Sequence, residues 1–409
     1  MKITDLVVTP IAFRDPPLLN SVGAHEPLAL RIIFQVHVEG GIVGAGECNA
    51  NIPLEAIQAV REGIIGMSVT GTKAIEQRVD HILRQAAPAL SQSQRLWVFS
   101  PIEVACLDAL GKILNLPVSD LLGGAVRQRV EFSAYLFYKW EGHTGQEPDR
   151  WGPALDPAGI VRQAQQFVSE FGFKTIKLKG GVFPPAEESA AIRALAAALP
   201  GYPLRIDPNG AWTIATAKQV VADLHGVIEY FEDPVLTIDG MSQVSAETPI
   251  PLATNMCVVE TAHIGEAFEK DAVQVVLSDH HIWGGLRRTR ELAAICEALG
   301  WGVSMHSNSH LGISLAAMIH LAATIPNLDY ACDTHYPWNY EDDIIRGGPM
   351  VFTEGTLPVP NGPGLGVDID PDKLAEAHER YIEFGRTTRD DSGYRRTREP
   401  HYDPTLPRF

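Results

Sequence analysis

Lys177, Lys179, Asp207, Glu232, Asn255, Asp279 and His306 stand at the ends of successive short apolar runs in the second half of the chain. Asp207, Glu232 and Asn255 offer oxygen only, and oxygen ligation selects a hard cation, magnesium before zinc, with water or substrate filling the remaining positions. Asp233 competes with Glu232 for that role, because adjacent strand residues point to opposite sides. Capping of the turns before Pro208 and Pro234 is the plainer alternative for Asp207 and Asp233. Lys177 and Lys179 are two apart and share a strand face. Their mutual repulsion, reinforced by a metal, lowers an amine pKa and leaves one lysine able to act as a base. Asp279 and His306 end neighbouring runs, and a carboxylate beside an imidazole fixes its tautomer and raises its basicity. His280, His281 and His310 read as structural histidines. A metal, a lysine base and a histidine base around one point suit proton abstraction α to a carboxylate, since the metal stabilises the enediolate that results.

These side chains need a scaffold that brings runs about 25 residues apart to one mouth. The runs are residues 132–137, 175–179, 204–207, 230–232, 252–255, 273–279, 302–306 and 330–333, with amphipathic stretches such as 186–199 between them. Eight strands alternating with helices predict a (β/α)8 barrel of the TIM type, whose carboxyl-end face carries the chemistry. No Gly-x-Gly-x-x-Gly follows the first run, which weakens a doubly wound sheet. Ahead of the barrel, residues 28–38 alternate and Glu39-Gly40-Gly41 turns the chain into Ile42-Val43-Gly44, a hairpin signal. Residues 15–27, with three prolines, read as a long mobile loop and a lid. From about residue 55 the pattern turns helical. Ser100-Pro101-Ile102-Glu103 predicts a helix start with a capping box, and Ile102, Ala105, Cys106, Ala109 and Leu110 share its apolar face. The expected organisation is an α+β capping domain over 1–130, a barrel over 131–360, and a segment 361–409 that wraps back on the cap.

The whole-chain properties narrow the partners. The 409 residues are 45% apolar and 20% charged, with a formal charge of −17. That charge disfavours nucleic acid and anionic membrane surfaces, and any anionic substrate must be drawn in by a local field. No apolar run reaches the length of a membrane span, and Asp5, Arg14 and Asp15 interrupt any signal-peptide pattern. The five cysteines are widely spaced, with no Cys-x-x-Cys, which points to reduced thiols and a cytoplasmic location.

The order Lys-x-Lys, Asp, Glu, Asn, Asp, His on successive strands resembles the enolase superfamily in its mandelate racemase group. Lys177-Leu-Lys-Gly-Gly-Val182, Asp207-Pro-Asn-Gly-Ala-Trp212, Glu232-Asp-Pro234, Ala253-Thr-Asn-Met256, His306-Ser-Asn308 and Asp333-Thr-His335 are similar to the glucarate dehydratase branch. The resemblance runs from about residue 18 to 391. It implies a hydro-lyase that uses Mg2+ to dehydrate a small dicarboxylate sugar acid, D-glucarate or L-idarate, to 5-dehydro-4-deoxy-glucarate, and a homo-oligomer. It assigns Lys179 and His306 as the two bases, Lys177 as the carboxylate-stabilising lysine and Asp279 as the partner of His306. Asn20 and His25 in the lid, with Tyr135, Lys177, Asn209, Asn308, His335 and Arg389, are the implied substrate contacts. The loop after Pro234 departs from the branch in length and lacks an acidic residue, and residues 138–157 and those after Tyr394 match poorly. The rival within the class is an acid-sugar epimerase or racemase. A zinc hydrolase on the same barrel would want a His-x-His on the first strand, and 132–138 has none. A degenerate, non-enzymatic barrel would have lost a base or a ligand, and every position is filled.

Overall fold

A computed structural model describes residues 1–50, 52 and 54–409. Strands β1 (Ile3–Arg14), β4 (Leu28–Val38) and β5 (Ile42–Asn49) form an antiparallel sheet in the order β1-β4-β5, and between β1 and β4 lie the two-residue strands β2 (Leu19–Asn20) and β3 (Gly23–Ala24). Gly40 and Gly41 sit at φ of +90° and +80°, the left-handed geometry the β4–β5 turn requires. Ile32, Phe34, Val36 and Val38 pack on helices α1 (Leu54–Ile64), α2 (Thr72–Ala86) and α3 (Gln92–Leu114), while Ala29 and Ile33 on the opposite face join the core shared with the barrel. The alternating strand is thus buried on both sides.

Helix α3 corrects the reading at Ser100. It begins after Ser91, whose hydroxyl and the Gln94 side chain form the capping box, and Pro101 lies inside it. The reason is tertiary. The α3 backbone lies directly on β5, so that a Cβ at Gly46 would come within 2.0 Å of the Pro101 carbonyl and one at Gly44 within 1.9 Å of the Ala105 carbonyl. That packing offsets the hydrogen bond a mid-helix proline forfeits, and Ser100 Oγ donates instead to the His280 carbonyl at 2.8 Å.

After β6 (Arg129–Glu131), seven parallel strands curl in the order of the chain: β7 (Ala134–Phe137), β8 (Ile176–Lys179), β9 (Leu204–Asp207), β10 (Tyr230–Glu232), β11 (Leu252–Thr254), β12 (Val275–Ser278) and β13 (Gly302–Met305). The eighth run, 330–333, is not a full strand. Only single residues pair on each side: Cys332 N donates to Glu131 O at 2.9 Å, Ser133 N to Cys332 O at 2.8 Å and Asp333 N to Met305 O at 2.8 Å. These bonds close the ring without a ladder, because too few residues face either neighbour. Register sets Tyr135 beside Lys177, and Phe137 and Asp207 on either side of Lys179. Helix Pro371–Phe384 returns to β1, where His378 Nδ1 donates to the Pro10 carbonyl at 2.7 Å and Arg380 Nε to Ala12 O at 3.1 Å. Residues 386–409 then cross the β2–β3 turn. All five cysteines are buried and unpaired. Among the described residues, no helix is long and apolar enough to cross a membrane.

Candidate active site

The carboxyl ends of the strands deliver the residues singled out from sequence to one buried cluster. Lys177, Asp207 and Glu232 have no measurable exposure. Lys177 Nζ lies 2.6 Å from both Glu232 Oε2 and Asp333 Oδ2 and 3.6 Å from Asp207 Oδ2, and it stands over the Tyr135 ring at 4.5 Å. Burial works against its ammonium, but Asp333, Glu232 and Asp207 overcome it and hold Lys177 well above its ordinary pKa. Of the two lysines, Lys177 is thus the one held charged, because carboxylates outnumber the neighbouring cation. Lys179 Nζ donates to Asp207 Oδ2 at 2.6 Å and to Asn209 Oδ1 at 2.7 Å. Tyr135 donates its hydroxyl to Asp207 Oδ2 at 3.2 Å.

Backbone geometry distinguishes Glu232 from Asp233. Asp233 takes φ of +40°, turns away from the mouth, and spends both oxygens on Asn255 and its neighbour: Oδ1 accepts from Thr254 Oγ1 at 2.5 Å and Oδ2 from Asn255 N at 2.8 Å. Burial pushes the Asp233 carboxyl up to about 7. Glu232 is left facing inward. Among the described residues, Glu232 Oε1, Glu232 Oε2 and Asn255 Oδ1 are buried without a hydrogen-bond partner; the Lys177 contact to Oε2 is close but misaligned. Unpaired buried oxygens are costly. Burial, with Asp207 and Asp333 adding to it against Lys177, drives Glu232 far above the carboxylate range. Asp207, also buried, is instead held below that range by Lys179, Lys177 and His306. Orphaned oxygens from two neighbouring strands beside the Asp207 carboxylate fit a hard divalent cation.

On the other side, Asp279 carries two histidines. Its Oδ2 accepts from His306 Nδ1 at 3.0 Å, and its Oδ1 from His281 Nδ1 at 2.8 Å and His281 N at 2.9 Å. His306 thereby keeps Nε2 free to take a proton. His281 Nε2 meets Arg31 Nη2 at 3.2 Å and Ser314 Oγ at 3.0 Å, so it is a structural acceptor. Asp279, His280 and His281 lie close enough to hold a metal, but the Arg31 guanidinium against His281 opposes a cation there. His310 bonds Thr334 Oγ1 at 3.1 Å, and burial holds both His280 and His310 well below the ordinary histidine pKa.

The implied substrate contacts divide. His335 sits against Tyr135 and Phe137 at ring separations of 4.8 and 5.1 Å, with His25 stacked 6.5 Å away and Nδ1 of His335 unpartnered. Asn308 accepts from Arg31 Nη1 at 3.0 Å. Asn308 and Arg389 line a cavity of about 420 Å³ between the cap and residues 387–392, and none of Asp207, Glu232 and Asn255 lines it. Asn20 serves the turn itself, its Oδ1 accepting from Val22 N and Gly23 N at 2.9 Å, and it is Ser21 Oγ that meets Asn209 Nδ2, at 3.4 Å. The loop read as a lid lies along the first barrel strand: Leu19 N donates to Tyr138 O at 2.7 Å and Trp140 N to Pro17 O at 3.3 Å.

Sequence reasoning missed four carboxylates and arginines behind this layer. Asp15 Oδ2 gathers His25 Nδ1 at 2.9 Å, Arg389 Nη1 at 2.6 Å and Ser309 Oγ at 3.2 Å, and Oδ1 accepts from Asn339 Nδ2 at 3.2 Å. Although burial raises it, His25 and Arg389 hold Asp15 below the carboxylate range. Asp333 pairs with Lys177. Arg31 and Glu47 form a buried pair at 2.8 Å, and Glu47 also accepts from Leu311 N and Ser314 N at 2.9 Å, capping helix Gly312–Ala323 from the other domain. Asp333 alone left a signal, since it ends the eighth apolar run as the others end theirs. The rest depend on contacts remote in sequence.

Comparison with known proteins gives the family. The model of the enolase C-terminal domain-like family matches residues 159–373, and that of the mandelate racemase/muconate lactonizing enzyme N-terminal domain matches residues 2–123. A Streptomyces coelicolor protein named "Probable glucarate dehydratase" is 48% identical, over 100% of this chain and 99% of its own length. An enolase from Mycobacterium smegmatis complexed with tartrate is 55% identical with a TM-score of 0.96, covering 100% of this chain and 98% of the other. One from Thermobispora bispora complexed with magnesium and formate is 50% identical with a TM-score of 0.96, covering 100% of both. The chain belongs to the enolase superfamily, in its mandelate racemase group and with glucarate dehydratase-like character.

Proposed function

We propose that this protein is a magnesium-dependent hydro-lyase that dehydrates an aldarate, D-glucarate or L-idarate, to 5-dehydro-4-deoxy-glucarate. The observation that carries the reading is the set of buried, unpartnered oxygens of Glu232 and Asn255 beside Asp207, flanked by Lys179 and by His306 with its aspartate. Asp207, Glu232 and Asn255 would hold the ion, and magnesium there would withdraw charge from a substrate carboxylate and acidify its α-proton. Lys177, held charged by Asp333 and Glu232, faces the negative charge that develops as the proton leaves. Lys179 takes the proton from one face of the α-carbon, and His306 Nε2 takes it from the other. The β-hydroxyl departs as water, with protonated His306 as the acid, and the resulting enol becomes the keto acid. His25, His335, Asn308 and Arg389 contact the rest of the substrate. Support for the substrate class comes from the "Probable glucarate dehydratase" relative and from a neighbour that binds tartrate, a smaller hydroxy-dicarboxylate.

The two-base arrangement would also serve epimerisation, so one assay must separate the outcomes. Purified protein with magnesium is offered a panel of acid sugars, and keto-acid formation and α-proton exchange are followed together. Keto acid from D-glucarate or L-idarate is expected. Exchange with no keto acid from any aldarate would replace dehydration by epimerisation, and neither product would refute the reading.

A further inference from the structure

The residues after Tyr394, which match the glucarate dehydratase branch poorly, reach the elements around Lys179. Arg408 N and Phe409 N donate to the Ala211 carbonyl at 2.8 and 3.0 Å, and Thr213 N donates to Phe409 O at 2.6 Å. The segment is thereby fastened to the loop that follows Asp207. From this anchor the Arg408 side chain reaches two other loops. Its Nη2 donates to the Ser21 carbonyl of the β2–β3 turn at 2.7 Å, and its Nη1 donates to the Gly181 carbonyl, two residues past Lys179, at 3.2 Å. Tyr402 supports the fork. Its hydroxyl donates to the same Ser21 carbonyl at 2.9 Å, and the guanidinium stacks on its ring at 4.7 Å.

Both targets lead back to Lys179. Ser21 Oγ accepts from Asn209 Nδ2 at 3.4 Å, and Asn209 Oδ1 accepts from Lys179 Nζ at 2.7 Å. On the other branch, the Gly181 peptide is gripped from its second side by Glu188, whose carboxylate accepts from Gly181 N at 2.9 Å, Val182 N at 2.8 Å and Phe183 N at 3.1 Å. Gly181 sits at φ of +73° with the Pro208 carbonyl 2.3 Å from where a Cβ would stand, so this loop has little room to move except as a unit. His306 shares none of these contacts.

We propose that Arg408 is a positioning residue for Lys179: its planar fork ties the β2–β3 turn to the loop after Lys179 and so fixes the lysine against its face of the substrate. The inference rests on the assignment of Lys179 as a base and adds the element that holds it. A planar guanidinium donates in two fixed directions at once, and an ammonium on a lysine stem does not reproduce that geometry.

The test uses the full chain with magnesium, comparing Arg408→Met, which keeps an apolar stem against Tyr402, with Arg408→Lys. Amide hydrogen exchange is read in residues 19–24 and 181–183, and α-proton exchange into deuterated solvent is read separately for D-glucarate and L-idarate. Arg408→Met is expected to speed amide exchange in both segments while α3 keeps its protection. It should slow α-exchange on the Lys179 face about 10- to 100-fold, the scale of a small misplacement of a reacting group, and leave the His306 face within about twofold. Arg408→Lys should fall between the two proteins. Unchanged amide exchange in either segment, or equal slowing on both faces, overturns the proposal. If the unsubstituted protein exchanges neither epimer, the base assignment has failed, and the amide exchange still decides whether Arg408 joins the two loops.

Discussion

Replacing Asp279 by asparagine should reverse the tautomer of His306 and silence one face of the active site. Asp279 accepts from His281 N and Nδ1 through one oxygen and from His306 Nδ1 through the other. An asparagine has one oxygen for two sides. If its amide nitrogen faced His281, it would meet a backbone N–H that can only donate, beside a ring whose Nε2 already accepts from Arg31. That arrangement leaves neither ring nitrogen protonated and is excluded. The oxygen must therefore stay with His281 and the NH2 must face His306. His306 Nδ1 then accepts, its proton moves to Nε2, and the nitrogen that should receive the substrate proton has no lone pair to offer. Losing the carboxylate's charge-assisted bond removes about 1.5–3 kcal/mol of support for the imidazolium, about ten- to a hundredfold in an equilibrium. Losing the base outright costs about a hundred- to ten-thousand-fold, so the tautomer dominates. With D-glucarate and L-idarate in deuterated solvent, proton NMR should show Asp279→Asn slowing exchange of one epimer about 1,000-fold while Lys179 continues to exchange the other. Nitrogen NMR should find the His306 proton on Nε2. A loss below about tenfold, or an equal loss on both faces, would refute the tautomer argument.

Other outcomes follow from the same contacts. Chelation should abolish turnover, with magnesium restoring it better than zinc, because the unpartnered oxygens of Glu232 and Asn255 offer no softer ligand; full turnover after exhaustive chelation would contradict this. His25→Ala should cut kcat about 100-fold with a small change in Tm, since Asp15 keeps Arg389 at 2.6 Å and Ser309 at 3.2 Å; an unchanged kcat with every active aldarate would remove His25 from the site. Burial pushes Glu103, at the junction of α3 with helix Leu286–Leu299, from an ordinary 4.5 up to about 7. Its folded form binds the proton more tightly, so the stability it contributes is full below 4.5 and lost as pH rises through 7, about 3 kcal/mol in all. Glu103→Gln should flatten that slope in denaturant titrations and exceed the unsubstituted protein at pH 8; parallel profiles would show that Glu103 stays ionised.

The ring of strand-end residues was legible because a barrel converts spacing along the chain into position around a mouth. Asp207, Glu232, Asn255, Asp279 and His306 needed only a repeat of about 25 residues and a polar end to each run. What the sequence hid was decided by contacts between distant segments. Ser91 and Ser100 are each followed three residues later by a capping-box partner, and only the glycines of β5 settle which one starts α3. Glu232 and Asp233 are chemically alike, and the positive φ at Asp233 separates them. Asp15 reads as one more polar loop residue until His25, Ser309, Asn339 and Arg389 meet at it. Arg408 reaches Ser21 across 387 positions.

On the proposed function, the charges give a reason why so acidic a molecule would accept a dianion, and in what order. Asp15, Glu47, Asp207, Glu232, Asp279 and Asp333 face Arg31, Lys177, Lys179 and Arg389 within a few hydrogen bonds of one another. Six buried carboxylates stand against four fixed cations there, an excess of negative charge; burial, with Asp207 and Asp333 adding to it, pushes the Glu232 carboxyl upward. Four of the carboxylates work as holders: Asp15 for Arg389 and His25, Glu47 for Arg31, Asp279 for His306, Asp333 for Lys177. They aim the groups that would meet the proposed substrate, at the cost of a field that repels a dicarboxylate. A divalent cation among Asp207, Glu232 and Asn255 cancels the excess. Binding should therefore be ordered, cation first. Calorimetric titration of chelated protein with D-glucarate should show affinity weakened about 100-fold or more relative to protein with magnesium, on the scale of a buried unpaired charge. The cation should bind the free protein with its affinity little changed by neutral polyols of the same length. Equal affinity for the dianion with and without magnesium would mean that the holders already neutralise the site, and the charge argument would fall.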